Sequence, residues 1–133
     1  MPAELSLPKE EYLDSCLRAS QEFYDRRIKF FGLYDPDTMN VDHWKKTILQ
    51  IYENQRRGLN LPKNYVPAST FWLVENGEFI GIGNLRHRLT RALLRFGGHI
   101  SYAVRPAKWN LGYGTLLLEL LLKEAARLGI EEA

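Results

Sequence analysis

The stretch "RPAKWNLGYGTLLLELLLKEAARLG", Arg105 to Gly129, decides how this chain reads, because Gly112 and Gly114 stand at the mouth of an otherwise strong helix. A glycine inside a helix costs about 1 kcal/mol relative to alanine, so a pair this close indicates a use for bare backbone. The first amides of a helix have no carbonyl partner within it, they point along its axis, and the macrodipole adds about half a positive charge. "NLGYGT", preceded by the strand-like run "HISYAV" and by Pro106, therefore reads as a cradle for a phosphate or pyrophosphate, with Lys108 as a mobile positive neighbour. It is not a Walker A loop, since no Gly-Lys-Ser/Thr closes it, nor a G-x-G-x-x-G dinucleotide turn, since position 117 is leucine. A Gly-x-Gly at a helix start is also an ordinary turn, so the phosphate reading leans on its surroundings.

Outward from the cradle, "STFWLVENGEFIGIGNLRHRLT" sets two strand-like runs either side of Asn76-Gly77, a strong hairpin signal, and predicts strands at about Thr70 to Val74 and Glu78 to Arg88. "HISYAVRP" predicts a third strand, closed by Pro106, and the last helix is predicted from Asn110 to Leu128. Its leucines occupy more than one stripe, which predicts burial on two sides. Upstream, from Leu7 to Phe31, the large apolar residues recur at helical spacing, with Ser6 placed to cap, Pro8 in the first turn and Gly32 to end the helix. A second helix carries Val41, Trp44, Ile48, Ile51 and Tyr52 on one face and stops near Gly58. The predicted order is helix, helix, strand, strand, strand, helix, in a single domain over 1–133.

The totals bound the function classes. The chain has 133 residues, 45% of them hydrophobic, enough for one domain with a real core. A net charge of +2, from 18 basic and 16 acidic side chains, gives no whole-molecule reason to expect nucleic acid or a membrane surface as partner. The single cysteine, Cys16, excludes an internal disulfide framework and a multi-cysteine zinc site, and no metal site is expected. No basic start followed by an apolar stretch opens the chain and no run approaches a membrane span, so the expectation is a cytoplasmic protein. "LRHRLTRALLR" gathers Arg86, His87, Arg88, Arg91 and Arg95, read either as a solvated hairpin rim or as an electropositive mouth for an acidic acceptor or for phosphates. Phe96 alone does not supply the interleaved aromatics that a nucleic-acid surface would use.

"GGHISYAVRPAKWNLGYGT" resembles the signature of the GNAT superfamily of N-acetyltransferases: a strand, V-x-P, and R/Q-x-x-G-x-G/A opening a helix. The resemblance covers about Ser69 to Ala133 well and the N-terminal helices more loosely. It implies a mixed α/β fold with a mainly antiparallel sheet, two N-terminal helices and a central helix after a pyrophosphate loop. It implies acetyl-coenzyme A as cosubstrate, no metal, and an amine of a small molecule or a polypeptide as acceptor. Carried over, the amides of Leu111, Gly112, Tyr113, Gly114 and Thr115 bind pyrophosphate, and the backbone of Ala103 and Val104 meets the pantetheine arm. The amide of Val104 is the implied donor to the thioester carbonyl. Where relatives place a glutamate this chain has Gly98, with His99 beside it as the candidate base or water-relay member.

Trp109 stands where the motif has Arg or Gln, with Lys108 and Arg105 nearby as compensating cations. Asn110 stands where many members have glycine, and is suited to cap the helix. The resemblance implies a further strand, helix and hairpin after the last helix, whereas this sequence stops at "GIEEA". The expectation is thus a C-terminally incomplete form of the fold, or a homo-oligomer in which another copy completes the sheet. Two functions stay open: an acetyltransferase, or a non-catalytic acyl-coenzyme A binding or interaction module of the same fold.

Overall fold

The computed structural model describes residues 2–59, 61, 66–87 and 100–128. The Asn76-Gly77 hairpin is its centre. Both residues have positive φ, 52° and 80°, the geometry of a type I′ turn, whose twist matches that of paired strands. It joins β2 (Ala68–Glu75) to β3 (Glu78–Arg86) in antiparallel register, with one register shift at Leu73/Val74. β4 (Ile100–Val104) pairs with the far side of β3, and β1 (Glu4–Ser6) pairs with the far side of β2. The described sheet is antiparallel throughout, in the order β1-β2-β3-β4.

Alternate residues of β2 and β3 face opposite layers, so both strands are buried on both faces. Trp72, Val74, Phe79 and Ile82 meet α1 (Leu13–Asp25) and α2 (Val41–Arg57) in one core with Phe23, Trp44, Ile48 and Tyr52. Phe71, Leu73, Ile80 and Leu85 meet α3 (Tyr113–Arg127) in a second core, through Leu117, Leu121 and Ala125. Gly83 lets α3 come close, because a Cβ there would lie 2.6 Å from Leu121 Cδ1.

Several sequence expectations need correction. Ser6 is part of β1, and its hydroxyl donates to the carbonyl of Leu7 rather than to a helix. α1 starts only at Leu13 and ends at Asp25, well short of Gly32. Arg27 takes φ 59°, its amide donates to Tyr24, and the amide of Ile28 donates to Phe23. This is the Schellman closure, made here without glycine. α2 ends by the same device at Gly58, as expected. Val41 and Ile51 lie at the exposed side of α2, leaving Trp44, Ile48 and Tyr52 as its buried stripe. α3 is likewise covered along one stripe among the described residues, with Leu122 and Leu128 exposed.

Candidate functional site

β4 and α3 are joined by Arg105, a 3-10 turn at Pro106–Lys108, and Trp109 to Gly112. Two positive φ values, 65° at Asn110 and 87° at Gly112, turn successive peptide groups and form a concave backbone nest. The helix cap is Gly112, so Asn110 is not the cap the sequence predicted. The first α-helical bond of the corner runs from the Leu116 amide to the Gly112 carbonyl, 3.2 Å. The amides of Leu111, Gly112, Tyr113, Gly114 and Thr115 all precede it and have no helical carbonyl to bond. A Cβ built on Gly112 meets nothing within 4 Å, and one on Gly114 comes no closer than 4.0 Å, to Val104 Cγ2. At both glycines the corner is uncrowded and presents main chain.

The loop's charged residues divide the work differently from expectation. Arg105 is 8% exposed and does not face the cradle. Its guanidinium forms an ion pair with Glu22 of α1 and donates to the Phe79 carbonyl at 3.0 Å. Glu22 also accepts from the Ala107 amide at 2.9 Å. Burial pushes the Glu22 carboxyl up, but the Arg105 and Ala107 hydrogen bonds outweigh it and hold the group below its usual value. Arg105 is thus a clamp on the loop and not a phosphate ligand. Lys108, half-buried, remains on the 3-10 turn, close enough for its charge to help hold Glu22 ionised.

At the other end of the helix start, the Tyr113 hydroxyl donates to Glu75 Oε1 at 2.6 Å, and this bond to a carboxylate raises the phenol's pKa. Glu22 and Glu75 fix the corner from two sides. Neither was singled out in the sequence, where both look like ordinary acids on polar faces; only the approach of α1 and of the hairpin end gives them a role.

On β4, the Arg105 amide donates to the Ile80 carbonyl at 2.8 Å. Antiparallel alternation then makes Ala103 opposite Ile82 a hydrogen-bonded pair and Val104 opposite Gly81 a non-bonded one. The N–H and C=O of Val104 therefore face the outer edge, while those of Ala103 face β3. Tyr102, not Ala103, shares the outward main chain with Val104. The Val104 carbonyl is taken by the Trp109 indole, whose Nε1 donates to it at 2.7 Å.

His99 and Gly98 lie outside the described residues, as do Arg88, Arg91 and Arg95. Of that basic cluster, His87 is half-buried, its Nε2 2.8 Å from Ser69 Oγ, and burial with the nearby Arg56 charge lowers its pKa. On the opposite layer, a cavity of about 1,100 Å³ lies between the end of α1, residues 27–40 and α2, lined by Phe23, Phe31, Leu33 and Trp44 and by Asp35 and Asp37. Among the described residues no helix is long and apolar enough to cross a membrane.

Residues 37–133 match the model of the acetyltransferase (GNAT) family. No curated protein matches the sequence. The solved structure of an acetyltransferase of the GNAT family from Streptococcus pneumoniae is similar over 97% of this chain and 70% of its own, with a TM-score of 0.57 at 15% identity, a likeness of fold. The antiparallel sheet, the glycine-opened helix after β4 and the match over most of the chain converge: the chain belongs to the GNAT family of acetyltransferases.

Proposed function

We propose that the protein transfers the acetyl group of acetyl-coenzyme A to an amine of a small molecule or polypeptide. The observation that carries this reading is the nest at Asn110 to Thr115, whose amides have no partner among the described residues and suit a pyrophosphate, and whose Gly112 puts no side chain in the way. When bound, the coenzyme brings an activated acyl thioester. The chain's share is to hold it and to place an amine beside it. Orientation of this kind lowers a barrier by roughly 7 to 11 kcal/mol, so the acid-base groups need add only a few more. The outward N–H of Val104 is the donor assigned to the thioester carbonyl, where negative charge develops. His99 is the assigned base or relay, and Lys108, on the 3-10 turn before the nest, the cation assigned to the phosphates. A non-catalytic acyl-coenzyme A binder is the second reading, favoured by Trp109 standing in the motif's Arg/Gln position and occupying the Val104 carbonyl.

Calorimetric titration with acetyl-coenzyme A tests the binding, and thiol release with a panel of amines separates enzyme from binder. Gly112→Asp sets a carboxylate against the diphosphate and should weaken binding more than about tenfold. Unchanged affinity in that variant would show that the cradle lies elsewhere.

A further inference from the structure

Trp109 is the one aromatic side chain in the cradle loop before the helix, a position that the family resemblance counts among the coenzyme-binding residues without giving its indole a specific contact. The structure gives it three contacts or properties that act together. Its indole Nε1 donates to the outward carbonyl of Val104 at 2.7 Å. The Arg26 guanidinium at the end of α1 lies over its ring, 4.9 Å from the centroid, a cation–π contact that holds the ring from outside. The loop beneath it is pinned to α1 through Glu22, Arg105 and Ala107, so the ring is held over the edge of β4 and not over the nest. Even so, the residue is 39% exposed, which leaves it room to swing outward.

The geometry points to Trp109 as a latch on the outer edge of β4, one that an arriving pantetheine arm has to displace. A strand edge offers an extended amide chain both donors and acceptors. Here the Val104 N–H has no partner among the described residues, while the Val104 carbonyl, the acceptor beside it, is already satisfied from within the loop. An amide of the arm gains that carbonyl only when the indole leaves, so part of the binding energy is spent on opening. The nest for the diphosphate has no comparable contact among the described residues: a Cβ built on Gly112 would meet nothing within 4 Å. The two halves of the coenzyme thus meet different resistance, and Trp109 sets the affinity for the arm alone. This inference rests on the coenzyme reading above.

The test compares wild type with Trp109→Phe, which keeps a ring under Arg26 and removes the N–H. Two ligands are titrated by calorimetry: acetyl-coenzyme A, and its nucleotide part without the arm, adenosine 3′-phosphate 5′-diphosphate. Freeing one carbonyl should tighten acetyl-coenzyme A by about three- to tenfold while leaving the nucleotide unchanged. Equal or weaker binding of acetyl-coenzyme A by the variant, or the same gain for both ligands, overturns the latch. A second measurement needs no ligand. In nitrogen-15 spectra the Trp109 indole signal, identified by its loss in the variant, should exchange with solvent far more slowly than an open indole does. Free exchange overturns the latch even if the coenzyme binds. Failure of wild type and variant to bind either ligand overturns the coenzyme reading instead, and the indole exchange then still decides whether the contact exists.

Discussion

Gly112 and Gly83 are small for opposite reasons. At Gly112 a side chain would meet no neighbour, and the constraint is its φ of 87°, so Gly112→Ala should cost about 1 to 2 kcal/mol of stability through backbone strain alone. At Gly83 the constraint is space. A Cβ would sit 2.6 and 2.7 Å from the two methyls of Leu121, which is fully buried and cannot turn aside without disturbing the second core. Gly83→Ala should therefore cost about 1 to 3 kcal/mol by overpacking. The pair also predicts its own coupling. Leu121→Ala, costing about 2 to 5 kcal/mol alone, removes the atoms that the new methyl strikes. In urea titrations the double variant should lose less than the sum of the single losses, by about 1 kcal/mol or more; simple additivity would show that the two sites do not touch.

Among the elements, the contact that matters most to the site runs between α1 and the β4–α3 loop. Arg105 is nearly buried and Glu22 is three-quarters so, hence removing one partner leaves a desolvated charge. Glu22→Gln keeps an acceptor for the Ala107 amide but loses the ion pair, and should cost about 2 kcal/mol, less than for a fully buried pair. The sign with pH follows from the lowered pKa. The carboxylate's contribution is complete above its usual 4.5 and is lost as the pH falls through the lower folded value. The stability gap between wild type and Glu22→Gln, read from urea midpoints, should thus be full above the usual 4.5 and close as the pH falls through the lower folded value. A gap that persisted in acid would assign the effect to packing.

This clamp also marks where sequence reading ran out. The period of α1 was legible and so was the Gly58 stop of α2, because glycine announces a left-handed cap. Arg27, closing α1 in the same conformation, carries no such signal, and the apolar period runs on past the helix end. β1 was invisible for a related reason: three residues, Glu4–Ser6, hold too little alternation to register and become a strand only because β2 offers them an edge.

At the scale of the whole molecule, the hairpin, the cradle and the order of the major elements were readable, since each rests on local chemistry: Asn-Gly for the turn, paired glycines for the nest, apolar period for the helices. What local chemistry could not give is which partner faces which. Arg105, in sequence a nearby cation able to compensate for Trp109, is a buried clamp; Trp109, in sequence the residue standing where the motif has Arg or Gln, is a side chain bonded to the strand it follows. Both corrections come from the two layers closing on one sheet.

That arrangement carries a prediction of its own. The first core, under α1 and α2, and the second, under α3, touch different faces of β2 and β3, yet the same strands supply both: Trp72 and Val74 to one, Phe71 and Leu73 to the other. Losing one layer exposes strands that the other layer needs, so the cores should unfold together. Ile48→Ala in the first core and Leu121→Ala in the second should each cost about 2 to 5 kcal/mol. In both variants far-ultraviolet circular dichroism and tryptophan fluorescence should report a single shared transition. With Trp109→Phe as the common background the probes are well placed to disagree if this is wrong, because the two remaining tryptophans, Trp44 and Trp72, both belong to the first core. A Leu121→Ala protein that lost helix signal before its fluorescence changed would show that α3, and with it the cradle, comes off a sheet still covered by α1 and α2.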